Sequence, residues 1–196
     1  IARKYQEEFG TEVQLQFGGS GTLLNNLKVS RRGDLFLAAD SSFVAIGRSN
    51  HLLAEVLPVA RQSPVIIVPK ANPKGIVTVA DLLRPGTRVA LANPDAAAVG
   101  TLTRAALTRS GQWDALSAAA TVLKPTVGDV ANDVKLGSVD AGIVWDATAA
   151  QYPDLAAVHA PELAGFTSDV SICVLKACEQ PTQALHFARF LAARDR

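Results

Sequence analysis

Methionine is missing from the chain altogether, even at position 1. We therefore expect the chain to begin downstream of a translation start, with any signal segment lying outside it. Cysteine is nearly absent. Cys173 and Cys178 stand five apart, close enough to bridge a turn or to remain two free thiols, and they match no zinc or redox spacing. The three histidines, His51, His159 and His186, are scattered without metal-ligand spacing, so no metal is expected. Long apolar runs are lacking too. The longest, Val65 to Val68 with its flanks, is the size of a buried strand rather than a membrane helix. Charge of neither sign prevails: the net charge is +1, which leaves no broad field to draw the chain to nucleic acid or an acidic membrane. There is no basic stripe, no helix-turn-helix pattern, no internal repeat and no low-complexity tract.

What is present is core material. Hydrophobic residues make up 48% of the chain, enough for one large domain or two lobes of about 100 residues each. Ile1 to Phe9 has helical periodicity and Gly10 to stop it. Glu12 to Phe17 alternates like a strand, and a helix is expected from the glycine turn to about Ser30. Asp34 to Asp40 reads as a buried strand, with Ser41-Ser42 capping a short helix through Ile46. Glu55 to Ala60, Pro64 to Pro69, Arg88 to Ala92, Thr121 to Lys124, Val139 to Trp145, Leu155 to Val158 and Asp169 to Leu175 are further strands. Helices are expected at Val79 to Leu83, Val99 to Arg109, Trp113 to Ala119, Pro125 to Leu136, Asp146 to Tyr152 and Thr182 to Ala193. Strand and helix alternate, the pattern of an α/β fold with parallel sheets wrapped by helices. The chain is expected to cross between two α/β units near Lys70 and to return near Phe166, giving lobe 1 as 1–70 plus 166–196 and lobe 2 as 71–165.

Three loops share one design: a strand ends, small residues follow, and a helix begins. They are Gly18 to Thr22, Asn93 to Gly100 and Lys124 to Gly128. Glycine lets a ligand approach the backbone, and a helix start offers unpaired N–H groups with the positive end of the helix dipole. In an open parallel sheet such loops gather at the carboxyl ends of the strands, where ligands bind. Of these loops only the third holds a cation, Lys124, so a small anion would be recognised by amides and hydroxyls rather than by guanidinium groups. The plain alternative for Ser20 is a helix N-cap in a glycine-rich connection. A second alternative, a serine hydrolase, is poorly served. Gly18-Gly19-Ser20-Gly21 is followed by Thr22 where a nucleophile elbow has glycine, and no histidine lies in a loop placed to act as base.

Six blocks in register resemble the periplasmic molybdate- and tungstate-binding proteins of ABC uptake systems. They are the turn Phe17 to Leu24, Gly33 to Asp40, Val65 to Lys70, Ala92-Asn93-Pro94-Asp95 leading to Val99-Gly100, Gly128-Asp129-Val130, and Val139 to Trp145. The resemblance covers nearly the whole chain. It implies a two-lobed, type II periplasmic-binding fold with a hinge, each lobe a mostly parallel sheet flanked by helices, closing on a tetrahedral oxyanion. By position, Ser20 is similar to the hydroxyl-and-amide donor of the glycine turn, with Gly21 beside it. Val99, followed by Gly100, is similar to the amide donor of the second helix start, and Val127 to that of the third. Trp145 falls where the family usually has a tyrosine whose hydroxyl reaches the anion. An indole N–H can donate but cannot accept, so this replacement enlarges the site, changes the anion or removes the contact; a purely structural buried aromatic is the other reading. Ala98 replaces the family's usual proline.

The family also begins with a central strand and a serine loop. Here Ile1 starts inside the helix that follows that strand, so the expectation is a strand upstream or another segment in its place. The resemblance further implies a non-enzymatic, monomeric protein, periplasmic or extracellular with a lipid anchor as one option. Its partners would be a small oxyanion and an ABC permease, with no cofactor and no nucleic acid. The same fold binding a different small ligand, or serving as a sensor domain, is the alternative.

Overall fold

The computed structural model describes residues 1–193. The chain divides into two compact units, Ile1–Arg61 with Asp169 onward, and Gln62–Ser168. The crossings therefore fall after Arg61 and after Ser168, earlier and later than the expected Lys70 and Phe166. Residues 62–70, expected in the first lobe, belong to the second unit, and 194–196 of the expected first lobe lie outside the described residues. The reason is a long-range pairing that local pattern does not reveal. The strand at Pro64–Pro69 pairs antiparallel with Ala141–Trp145 on one side and with Leu155–Val158 on the other.

Unit 1 opens with helix α1 (Ala2–Phe9), ended by Gly10 in the left-handed region at φ 70°. Next come α2 (Ser20–Ser30), β1 (Leu35–Ala38), α3 (Ser41–Ser49), capped by the Asp40 carboxylate accepting from Ser42 N–H, and β2 (Leu53–Gln62). The last strand and helix of the chain complete it, and its sheet has the order β1, Ser168–Leu175, β2. β1 runs antiparallel to its neighbour, with Phe36 opposite Cys173. The core is aromatic. Tyr5, 2% exposed, stands edge-on to Phe187 and Phe190 with ring centroids 4.9 Å apart in each pair, and its hydroxyl lies 2.6 Å from His186 Nδ1. Both cysteines are free, and burial pushes the Cys173 thiol up to about 11, so it is protonated and inert at neutral pH.

The expected strand Glu12–Phe17 does not form. Those residues have no ladder partner among the described residues. Val13 touches the aromatic core, but Leu15 is 58% and Phe17 87% exposed. Alternation makes a segment fit for a strand; only a neighbour makes it one. β1 in turn sits at the sheet's edge.

Unit 2 contains β3 (Pro64–Pro69), β4 (Val89–Ala92), α4 (Ala98–Arg109), α5 (Trp113–Ala119), β5 (Val122–Lys124), α6 (Val127–Lys135), β6 (Ala141–Trp145), α7 (Asp146–Ala149) and β7 (Leu155–Val158). The closing strand β8 (Ser168–Leu175) and helix α8 (Pro181–Ala192) return to unit 1. Where a helix was expected from Val79, Ala80–Leu83 forms a single 3-10 turn. The sheet order is β5-β4-β6-β3-β7; β5, β4 and β6 run parallel, and β3 runs antiparallel to both of its neighbours. Val65 to Val68 are fully buried, as the continuous apolar run requires of a strand covered on both faces. At the amino ends of β4 and β6, the Arg88 guanidinium binds Asp140 at 2.8 Å and holds its carboxyl below the usual range.

Among the described residues β1 has no ladder partner on its outer side, which generates a prediction. Leu175 N–H donates to Asp34 O, so alternation along the ladder turns the backbone groups of Leu35 and Leu37 away from β8. Their amides are expected to exchange at least about tenfold faster than that of Phe36 in an NMR hydrogen-exchange series, as outward groups of an edge strand do. Equal protection would show that the edge is covered.

Candidate ligand-binding site

In unit 2 the carboxyl ends of three adjacent parallel strands carry the expected residues. The loop after β4 leads to α4 with Val99 and Gly100, the loop after β5 leads to α6 with Val127, and β6 ends at Trp145. Asn93 N–H donates to Lys124 O at 2.7 Å, which ties the first two loops together. In α4 the first helical bond is Thr101 N–H to Ala97 O, so the amides of Ala98, Val99 and Gly100 have no helical acceptor. Val99 is 1% exposed. In α6 the Thr126 hydroxyl oxygen accepts from Asp129 N–H at 3.1 Å and donates to the Asp129 carboxylate at 2.6 Å. The amides of Val127 and Gly128 are left without an acceptor among the described residues. Trp145 is 4% exposed, and its indole N–H bonds to none of the described residues.

Unit 1 holds the remaining expected donors. The N-cap of α2 is Gly19, with no side-chain cap, so Ser20 is not the cap that a glycine-rich connection suggested. Ser20 Oγ instead accepts from Ala39 N–H at 3.2 Å, which binds the start of α2 to the end of β1. That leaves the hydroxyl proton free to donate. Leu23 N–H closes the first helical bond onto Gly19 O, so the amides of Ser20, Gly21 and Thr22 have no helical acceptor. Ser20 is 6% exposed and Gly21 is buried. By the same helix-start rule the amides of Thr22, Ala98 and Gly128, which lie in the three expected loops, join the expected residues as candidate donors.

Close packing fixes the α4 start. A Cβ on Gly100 would collide with the carbonyl oxygen of Ala92 and come within 2.8 Å of the backbone of Asn93 and Pro94. Thr101 Oγ1 also donates to Pro94 O at 2.6 Å. Gly142 does the same service for α6, since a Cβ there would strike Val130. The nearby charges are already paired: Lys124 with Asp133 at 2.8 Å, and Arg104 with Asp95 at 3.0 Å. Among the described residues no group of three or more His, Cys, Asp or Glu side chains could hold a metal ion. Among the described residues Ser20 Oγ bonds Ala39 N–H, and no histidine bonds it. Within unit 2 the helix starts thus present neutral donors, suited to an oxyanion.

The chain is built of two α/β units. The family model for bacterial extracellular solute-binding proteins matches residues 1–195. The molybdate-binding protein ModA of Mycobacterium tuberculosis is 31% identical over 186 residues, which cover 94% of this chain and 69% of that protein. Among solved structures, the periplasmic molybdate-binding protein of Azotobacter vinelandii matches with a TM-score of 0.79 at 18% identity, over 98% of this chain and 86% of that one. A periplasmic thiamin binding protein matches with a TM-score of 0.83 at 15% identity, over 98% and 72%. The chain belongs to the bacterial extracellular solute-binding proteins, and its fold is the type II periplasmic-binding fold.

Two substitutions test the packing. Gly100→Ala is expected to destabilise unit 2 by about 1–3 kcal/mol in urea unfolding, because backbone rather than a flexible side chain must yield. Thr103, 3% exposed, has a hydroxyl with no partner among the described residues. Thr103→Val is therefore expected to stabilise the protein by up to about 1 kcal/mol in the same assay; a loss instead would mean that the hydroxyl is satisfied in solution.

Proposed function

We propose that this protein captures molybdate or tungstate and delivers it to the permease of an ABC uptake system, without chemical change to the anion. The observation that carries the proposal is the run of amides without a helical acceptor at three helix starts, with Arg104 of α4 and Lys124 before α6 each paired to a carboxylate. A tetrahedral dianion is a dense acceptor that such donors hold through partial charge and hydrogen bonds, and binding without a fixed cation keeps release easy. The 31% identity to the mycobacterial molybdate-binding protein over nearly the whole chain supports the same ligand. Ser20 supplies a hydroxyl and, with Gly21, amides; Val99, Gly100 and Val127 supply amides; Trp145 supplies its indole N–H in place of a phenol. Periplasmic or cell-surface residence and action as a monomer go with this role. The indole favours a second reading, in which the same donors select a different oxyanion, since it is larger than a phenol and donates only.

Titration with molybdate, tungstate, sulfate and phosphate, read by tryptophan emission and melting temperature, separates these readings. Molybdate at 100 times its dissociation constant is expected to add roughly 2.7 kcal/mol to stability. Ser20→Ala is expected to weaken binding by about 1–3 kcal/mol, through the lost donor and the loosened hold on Ala39. Silence to all four anions would overturn the oxyanion reading, and a response to sulfate or phosphate alone would reassign the ligand.

A further inference from the structure

The chain enters unit 2 at Gln62, and the next residue, Ser63, is held on both sides by Asp146. Asp146 N–H donates to Ser63 O at 2.9 Å, and Ser63 N–H donates to Asp146 Oδ1 at 3.1 Å. In an antiparallel ladder the second of these bonds would ordinarily reach the opposite residue's carbonyl. Here the Asp146 carbonyl is already taken, accepting from Ala150 N–H at 3.0 Å as α7 begins. The carboxylate replaces it in the ladder, and the same Oδ1 also accepts from Ala147 N–H at 2.7 Å. One oxygen therefore joins the segment at the crossing, the last rung of the β3–β6 ladder and the first turn of α7. The next rung inward pairs Pro64 with Trp145. If Ser63 and Asp146 are the hydrogen-bonded pair, Pro64 and Trp145 are the close, non-hydrogen-bonded one, where side chains on opposite strands lie nearest.

We infer that Asp146 is a positioning residue. By clasping Ser63 it fixes the end of β6 against the crossing segment and so sets the orientation of Trp145, whose state and that of the crossing are thereby linked. The link to ligand affinity rests on the proposal that Trp145 donates to the anion; the clasp itself does not. No charge is required for it, only an acceptor at the Oδ1 position.

The test uses the full chain carrying Trp113→Phe, so that Trp145 is the sole tryptophan, excited selectively, and compares this parent with Asp146→Ala and Asp146→Asn. Emission maximum and iodide quenching of Trp145, hydrogen exchange at Ser63 and molybdate affinity are measured in each. Asp146→Ala is expected to raise iodide quenching, to speed Ser63 exchange roughly tenfold and to weaken molybdate binding by a similar factor, the scale of one or two lost hydrogen bonds. Asp146→Asn, which keeps an acceptor, is expected to restore all three to within about threefold. If the alanine variant does not fold, Asp146→Gln serves in its place, since its acceptor lies one methylene too far. Parent-like quenching and exchange in Asp146→Ala would overturn the inference, as would an asparagine variant that behaves like alanine. A parent that ignores molybdate while the quenching and exchange effects persist would overturn the assigned ligand and leave the clasp standing.

Discussion

The structure depends on one constraint: the first turns of α4 and α6 must sit tight against the carboxyl ends of β4 and β5. A helix cannot pair its own first N–H groups, and in most proteins side-chain caps or water take them up. Here α4 has no side-chain cap, and α6 caps only Asp129 N–H. Val99 brings its amide into the interior at 1% exposure. Burying donors in this way costs stability unless an acceptor of the right shape meets them. Bulkier loops would screen those amides from any ligand.

Two glycines make the approach possible, and each does so by lacking a Cβ rather than by adopting an unusual backbone angle. Gly100 lies against the Ala92 carbonyl, and Gly142 lies under Val130 with the Ala90 carbonyl 2.9 Å from where its Cβ would be. The first sets the height of α4 over β4; the second sets that of α6 over β6. Between them, the bond from Asn93 N–H to Lys124 O fixes one loop to the next. The ion pairs stand outside this arrangement. Arg88 and Asp140 hold the opposite ends of β4 and β6, and Lys124 turns to Asp133 rather than to the helix starts. The Lys124–Asp133 pair is largely buried, its side chains 28% and 19% exposed, and it keeps that cation turned from the helix starts.

Local residues carried much of this into the sequence. The glycine turn at Gly18 to Gly21, the small-residue loop before Val99 and the apolar run ending at Trp145 are short-range signals, and each marks its element to within a residue or two. What stayed illegible was pairing. Glu12 to Phe17 has a strand's alternation and no strand's neighbour. Val65 to Val68 was plainly a buried strand, yet its membership of unit 2 follows from β6 and β7, which lie about 75 to 90 residues further on. The N-cap alternative for Ser20 rested on what hydroxyls often do; the hydroxyl's partner, Ala39, lies 19 residues downstream. Asp146 read as no more than the start of a helical turn. Nothing near it announces that its carboxylate completes a ladder with Ser63, 83 residues upstream.

The fold by itself leaves the ligand open, since a thiamin binding protein shares it at a TM-score of 0.83. Thiamin is an organic cation, and a site for it needs acceptors, apolar walls or aromatic faces. A metal cation needs clustered carboxylates, imidazoles or thiolates, and no such group occurs among the described residues. The ends of β4 and β5 present the reverse: N–H donors, with the Asp95 and Asp129 carboxylates turned to Arg104 and Thr126. Neutral donors also discriminate in a way that fixed cations do not. A guanidinium attracts any anion at long range, whereas an array of amides is attractive only to an anion whose oxygens meet several of them at once. Under the proposed function, selection among oxyanions of equal charge comes from the spacing of the donors. That spacing is set by how closely Gly100 and Gly142 let two helices approach one sheet.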